Sequence, residues 1–194
     1  MGAIRTTLAL LLFAGPLAWA PLRAAELIDI KVERDGDRYI LESNIRFMVD
    51  QQSLYAVIIN YDRFEEMSSI FIDTYNLEPG PDGKPRFYTL MEGCVVIFCK
   101  QFERYGYLET TPYDEVIAKI DPDTSDFRYS WERWQFTPEP EGTVLMRYQF
   151  EMEPGFWVPP IIGPYMIRRT LREGGIDAVD RIERIAQEVA AAGE

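Results

Sequence analysis

The chain has 194 residues, 47% hydrophobic and 27% charged, with a formal net charge of −12; this balance is typical of a globular protein and argues against global disorder or a fibrous repeat. Because phosphate contacts need clustered Lys and Arg, a chain this acidic is a poor candidate for binding nucleic acid or anionic membranes. The sequence contains no histidine, which excludes Ser-His-Asp and Cys-His catalysis and metal sites that need imidazole.

The N-terminal segment predicts export. Residues 1–25 carry two arginines and no acidic residue, and the apolar run from Thr7 to Ala20 is interrupted at Gly15-Pro16. This run is too short for a membrane-spanning helix, which needs roughly 20 apolar residues, and it fits a signal peptide. We therefore predict a signal peptide over 1–25, a single domain over 26–194, and the periplasm of a Gram-negative bacterium as the location. An uncleaved membrane anchor is the alternative.

The first part of the domain predicts two strands and then two short helices. Segments 27–32 and 39–49 read as a hairpin, and the second strand alternates apolar and polar residues. Asp50 is expected to cap a helix over 51–59, and a second short helix follows over 62–67. Further strands are predicted over 69–77, 86–108, 115–120, 127–136 and 144–152.

After Gly163-Pro164 the apolar period changes from two to 3.6, which predicts a long amphipathic C-terminal helix. Its apolar stripe consists of Ile167, Leu171, Gly175, Ala178, Ile182, Ile185 and Val189. Two glycines, Gly174 and Gly175, lie in the middle of this helix. We expect either a bend there or a close approach of the helix backbone to the sheet.

The only two cysteines, Cys94 and Cys99, lie in the segment 93–99, whose Val, Ile and Phe residues predict a strand. This segment belongs to a long β-rich stretch over 86–108, in which Gly93 is expected to form a bulge. Five residues along a strand span ~16 Å, whereas a disulfide needs Cα atoms within ~7 Å. We therefore predict two buried thiols without an intramolecular bridge. The sequence predicts no metal site and no cofactor.

The order of elements, together with four short motifs, resembles the helix-grip superfamily of START-like and polyketide-cyclase-like proteins (SRPBCC). Within that superfamily the closest similarity is to the coenzyme-Q-binding and cyclase/dehydrase group. The segment 27–32 has no counterpart in the family pattern. The motifs are Tyr61-Asp-Arg-Phe64, Trp134-Gln-Phe136 followed by Gly142-Thr143, Pro154-Gly-Phe-Trp-Val-Pro-Pro160, and Ile182-Glu183.

This resemblance implies an α+β fold in which a curved antiparallel β-sheet wraps around a long C-terminal α-helix, with two short helices after the first long strand. An apolar cavity would lie between the sheet and the helix. The function it implies is a periplasmic carrier of a hydrophobic small molecule such as a lipid, sterol or quinone. The alternatives are a cyclase- or dehydratase-type enzyme, which the lack of histidine weakens, and a ligand-free interaction module of the envelope with a solidly packed sheet.

Candidate ligand-binding residues come from the inner face of the sheet and from the start of the last helix. They are Trp134, Phe136, Tyr148, Phe150, Phe156, Trp157 and Arg168. The first four are predicted to line the cavity, Phe156 and Trp157 to form its lip or a membrane-touching edge, and Arg168 to meet a polar headgroup. The alternatives are a packed core, a rigid hinge and a solvated helix face. We predict no catalytic residue, no nucleic-acid partner and at most a transient contact with a membrane.

Overall fold

The computed structural model describes residues 24–95 and 98–193. The predicted signal peptide over 1–25 therefore lies outside the described residues, except for its last two. Within the described part of the chain, no helix has the length and the apolar character needed to cross a membrane.

Eight strands in these residues form one antiparallel sheet in the order β1-β2-β8-β7-β6-β5-β4-β3. Except at the junction of β2 and β8, neighbouring strands in the sheet are also consecutive in the chain. The strands are β1 (Glu26–Asp35), β2 (Arg38–Phe47), β3 (Phe71–Leu77), β4 (Arg86–Val95), β5 (Phe98–Thr111), β6 (Glu115–Ile120), β7 (Phe127–Glu139) and β8 (Thr143–Pro154).

The helices follow the predicted order. Between β2 and β3 lie α1 (Gln51–Ile58), a 3₁₀ turn over Tyr61–Arg63, and α2 (Phe64–Met67), and the long helix α3 (Ile162–Gly193) ends the fold. The backbone N–H of Ser53 donates to Asp50 Oδ1 at 2.9 Å, as an N-cap requires. A curved sheet that holds a long C-terminal helix confirms the predicted helix-grip fold.

The main core lies between the inner face of the sheet and α3. Along β2 every second side chain is buried, and the side chains between them are only partly covered. The same period-two pattern in β8 places Val144, Met146, Phe150 and Met152 in the interior. Because successive strand side chains point to opposite faces, this alternation fixes which residues face the helix.

The strand β1, which the family pattern does not account for, extends the sheet beyond β2 as an edge strand. Helix α3 runs without interruption from Ile162 to Gly193 and packs against this strand. A Cβ atom on Gly175 would come within 2.8 Å of Ile30 Cδ1. Of the two expectations for the glycine pair, the close approach of the helix backbone to the sheet is therefore the one observed.

The predictions of a strand through residues 93–99 and of two unbridged cysteines were wrong. The β-rich stretch over 86–108 divides into the antiparallel strands β4 and β5, in which Cys94 lies opposite Cys99. Their Cα atoms are only 4.0 Å apart, and the two side chains form a disulfide. Positions 96 and 97, between the two strands, are Val and Ile, so no Gly, Asn or Pro indicates the reversal of the chain.

Candidate functional site

A cavity of about 380 Å³ lies between the inner face of the sheet and the first half of α3. Its size falls in the range typical of small-molecule sites. Besides the sheet and α3, three segments complete its wall: the loop between α2 and β3, the ends of β4 and β5 nearest the disulfide, and the connection from β8 to α3. Most of the wall side chains are aliphatic or aromatic, so the cavity suits an apolar molecule.

Five of the seven candidate residues lie on the cavity wall, namely Trp134, Tyr148, Phe150, Phe156 and Trp157. The indole of Trp134 stacks on the Tyr148 ring, with centroids 5.4 Å apart, and the Phe156 ring stacks on Phe102 at 4.1 Å. The structure thus brings these five side chains to one space. Their contact with a ligand stays a prediction.

The other two candidates do not lie on the wall. Phe136 is buried one inner-face position beyond Trp134, where α1 covers it and Tyr55 meets its ring at 6.1 Å. Arg168 is exposed on α3, since its helical neighbours Ile167 and Leu171 face the cavity instead. Phe136 therefore belongs to the packed core and Arg168 to the outer face of the helix.

A buried polar cluster interrupts the apolar wall. Arg104 on β5 and Glu132 on β7 form an ion pair between Nη2 and Oε1. The Tyr148 hydroxyl, on β8, donates to the other Glu132 carboxylate oxygen at 3.1 Å. Arg104 is only 3% exposed and Glu132 only 4%. Charges withdrawn from water are costly unless they are paired, so this pairing is a condition for their burial.

One donor of the cluster is left over. Among the described residues, Arg104 Nε is buried and has no hydrogen-bond acceptor. The guanidinium lies between the rings of Phe87 and Phe150, at 5.8 and 5.9 Å from their centroids, and these rings offer no lone pair to Nε. Arg104 also belongs to the cavity wall. A buried polar group without a partner is rare in native proteins, so this nitrogen is an unusual feature of the wall.

The protonation of the cluster is set by its burial and by its internal charges. Burial opposes the charged form of Arg104, but Glu132, Tyr61 and Tyr148 together outweigh it, so the pKa of Arg104 is raised. Burial and the charge of Glu132 both hold the pKa of the Tyr148 hydroxyl well above its ordinary value. Near neutral pH the cluster therefore contains an arginine cation and a neutral phenol.

Tyr61 lies behind this cluster. Its ring stacks between Phe64 and Phe87, with centroids 3.8 and 4.3 Å away. Burial, reinforced by the charge of Glu132, raises the pKa of Tyr61 well above its ordinary value. Its buried hydroxyl has no partner in the described part of the chain. A second unsatisfied donor therefore lies close to the cluster.

Sequence reasoning missed Arg104 and Glu132, although a signal was present. Glu132 is two residues before Trp134 and Arg104 is two residues after Phe102, and both aromatic residues are on the inner face. Alternation therefore also places these two charged residues on that face. A charge of each sign among inward-facing aromatic residues indicates a buried pair.

The disulfide lies at the edge of the cavity, where Cys94 contributes to the wall. The Glu92 carboxylate approaches both sulfur atoms, with all three ligand-type atoms within 4.8 Å of one another. Such a group suits a metal only when the thiols are deprotonated. In the oxidised state the two cysteines offer no thiolate to a metal. The disulfide therefore acts as a covalent link between the ends of β4 and β5.

Solved structures with the same fold cover most of this chain. A START superfamily protein from Mycobacterium smegmatis has 12% identity and a TM-score of 0.61, over 77% of this chain and 98% of its own. A STAR-related lipid transfer protein from Xanthomonas axonopodis has 12% identity and a TM-score of 0.59, over 81% and 98%. The Zhui aromatase/cyclase from a Streptomyces species has 8% identity and a TM-score of 0.58, over 81% and 96%.

No protein-family model and no curated protein sequence matches the chain significantly. At identities this low, the structural likeness establishes the fold and leaves the activity open. The chain has the START-like helix-grip fold, as its sequence motifs predict.

Proposed function

We propose that the protein is a periplasmic carrier of a neutral hydrophobic small molecule, held between the sheet and α3. The observation that supports this function best is the apolar cavity of about 380 Å³ with one buried polar cluster on its wall. Protein interiors are normally packed without such spaces, so an apolar cavity of this size favours a carrier over a solidly packed interaction module. Export rests on the predicted signal peptide and is part of the proposal.

The polar cluster favours a ligand with one uncharged oxygen group. Arg104 is already neutralised by Glu132, so an anionic head would bring an unpaired charge into a dry site. The buried Nε–H of Arg104 requires only an acceptor. The hydroxyl of a sterol, the carbonyl of a quinone or the oxygen of a neutral lipid supplies an acceptor without a charge, whereas a fatty-acid carboxylate supplies an acceptor together with an unpaired negative charge.

The same cluster makes an enzyme the second choice. Glu132 is one of the two carboxylates on the described part of the wall and is held by Arg104 and Tyr148. The raised pKa of Tyr148 keeps its phenol protonated. The cluster can thus donate hydrogen bonds to an oxygen but, within the described residues, contains no free base, and a cyclase or dehydratase needs a base for proton abstraction.

Native mass spectrometry of the protein purified from its own envelope, with organic extraction of the same sample, tests the carrier. We expect near one neutral lipid, sterol or quinone per chain. An empty protein that also fails to bind phenylnaphthylamine, an apolar fluorescent probe, would contradict the proposal. Competition of decanol against decanoate for the bound probe then tests the preference for an uncharged head.

A cavity-blocking variant provides the matched comparison. Ala178 lies on the cavity wall, and Ala178→Phe places a ring in the space that a ligand would occupy. Ala191 is exposed near the end of the same helix, so Ala191→Phe adds the same ring outside the cavity. Probe binding should be lost in the first variant and kept in the second.

A further inference from the structure

An exposed apolar surface borders the cavity. Five of the nine large hydrophobic side chains that are exposed in the described residues fall between positions 157 and 176. Four of them lie within the nine residues 157–165. The side chain of Trp157 is 78% exposed, that of Ile161 92%, that of Ile162 46% and that of Tyr165 56%. We call these four residues the apolar tip. Single exposed hydrophobic residues are normal, but a contiguous group of this kind marks a contact surface.

The apolar tip adjoins the part of the cavity wall that the β8–α3 connection and the start of α3 supply. Trp157 is itself part of the cavity wall, as are Val158 and Pro159, which precede Ile161. Gly163 and Met166, within the first turns of α3, also line the cavity. A surface that covers the apolar tip would therefore lie against this part of the cavity wall. A hydrophobic ligand would then pass between that surface and the cavity without crossing water.

Positive charges lie beside the apolar tip in this otherwise acidic chain. Arg168 and Arg172 are exposed on the next turns of α3, and neither guanidinium has a carboxylate partner in the described residues. Lys100, at the opposite side of the cavity edge, lies 5.0 Å from the centroid of the Phe156 ring. Because charge acts over about 8–10 Å at physiological salt, a local basic patch attracts anions despite the net charge of −12.

We infer that the apolar tip, together with Arg168 and Arg172, is a docking surface for an anionic lipid bilayer. Aromatic and aliphatic side chains next to cations are the composition of surfaces that lie in a membrane interface. The arginines meet lipid phosphates while the apolar tip enters the boundary with the acyl chains. This inference deepens the proposed carrier function, since it names the source or destination of the ligand.

A second copy of the chain is a poorer occupant of the same surface. Each copy carries a net charge of −12, so two copies repel each other, and pairing this surface with itself would place the arginines of both copies side by side. A bilayer with anionic headgroups complements the arginines and accepts the apolar tip at the same time. Charge and hydrophobicity therefore select the same partner.

Flotation of residues 24–194 with vesicles tests the inference. This part contains the whole sheet and α3. It lacks the apolar run of the predicted signal peptide, which would bind lipid by itself. We expect binding to vesicles of phosphatidylethanolamine with phosphatidylglycerol and at least about tenfold weaker binding to pure phosphatidylcholine. The double variant Trp157→Ser with Ile161→Ser should lose binding. The variant Arg168→Gln with Arg172→Gln should lose the preference for anionic lipid.

Matched controls exclude a general effect of removing exposed apolar residues or charge. Ile28 and Ile72 are exposed elsewhere, at 44% and 42%, and their replacement by Ser should leave vesicle binding unchanged. Arg147→Gln with Arg184→Gln removes two other exposed arginines and should preserve the lipid preference. If the wild-type protein does not float, or if the apolar-tip variant only dissociates a dimer, the inference is wrong. All proteins are tested without ligand, so an empty cavity does not affect this result.

Discussion

At the scale of single residues, the Arg104–Glu132 pair is a buried charge pair on the cavity wall. Both side chains are almost fully withdrawn from water, and a buried ion pair recovers the desolvation cost only when its remaining hydrogen-bonding atoms are satisfied. Tyr148 satisfies one Glu132 oxygen, but Arg104 Nε has no acceptor in the described residues. The pair is therefore complete as a charge pair and incomplete as a hydrogen-bond network.

Removing one partner of this pair should lower the free energy of unfolding more than removing both partners. We expect Arg104→Leu to lower the free energy of unfolding by about 3–5 kcal/mol, because it leaves the Glu132 charge buried and unpaired. The double variant Arg104→Leu with Glu132→Leu should recover most of that loss. Urea denaturation of wild type, both single variants and the double variant measures the coupling. Additive losses would show that the pair is not coupled in the folded protein.

At the scale of elements, α1 depends on its N-cap residue, Asp50. Asp50 accepts hydrogen bonds from the Ser53 backbone at 2.9 Å and from the Ser53 hydroxyl at 2.6 Å. Burial raises the pKa of the Asp50 carboxyl, but the bonds from Ser53 outweigh burial and leave the pKa below its ordinary value. The ionised cap therefore stabilises the fold above the unfolded-state pKa, and this stabilisation disappears as the pH falls through the lowered value.

Asp50→Ala should lower the free energy of unfolding by about 1 kcal/mol near neutral pH. The difference from wild type should shrink as the pH falls through the lowered pKa, since the protonated wild type no longer has an ionised cap. Denaturation of both proteins at several pH values measures this. Asp50→Asn, which keeps an acceptor oxygen without the charge, should lose less stability and abolish most of the pH dependence. A pH-independent difference for Asp50→Ala would contradict the role of the charge.

The close contact between α3 and β1 gives a second prediction at the same scale. A Cβ atom on Gly175 already meets Ile30 Cδ1 at 2.8 Å, so Gly175→Leu should destabilise the protein by about 1–3 kcal/mol through overpacking. Adding Ile30→Ala should restore part of the loss, because it removes the atom in conflict. Ala191→Leu, at an exposed position of α3, is the control. Failure of Ile30→Ala to rescue the variant would show that the clash lies elsewhere.

At the scale of the whole molecule, the fold keeps an apolar space beside a well-packed core. Phe47 and Phe87 of the sheet, Leu54 of α1 and Ile185 of α3 are completely buried in this core, and the cavity adjoins it between the sheet and α3. Apolar surface that lines an empty cavity forgoes packing contacts. A molecule that fills the space therefore adds stability without rearranging the core.

This stabilisation is measurable in the intact protein. Phenylnaphthylamine at about 100 times its Kd should stabilise the native state by about 2.7 kcal/mol, which raises the Tm of a domain of this size by about 5–10 °C. The Ala178→Phe variant should show no such shift, whereas Ala191→Phe should shift as wild type does. An equal shift in both variants would place the binding site of the probe outside the cavity.

The fold could be predicted from the sequence much more completely than the site. The period-two pattern of β2 and β8 and the 3.6-residue stripe of α3 encode which faces are buried, and the order of the elements together with four motifs indicated the fold. Prediction failed between Cys94 and Cys99, where no turn residue indicates that the chain reverses. The Arg104–Glu132 contact joins β5 to β7 across 28 residues, and such a pairing follows from strand register, which no local pattern specifies.

The polar cluster and the segments around the apolar tip come from separate parts of the chain. Arg104, Glu132 and Tyr148 belong to the rigid strands β5, β7 and β8, whereas the apolar tip belongs to the β8–α3 connection and the first turns of α3. In the proposed carrier, substitutions of Ile161, Ile162 or Tyr165 would therefore change how fast cargo is exchanged while the choice of cargo is conserved. Substitutions in the strands would change that choice. Trp157, which belongs to both the tip and the cavity wall, would affect both properties, so the architecture separates the kinetics of delivery from selectivity everywhere but at this residue.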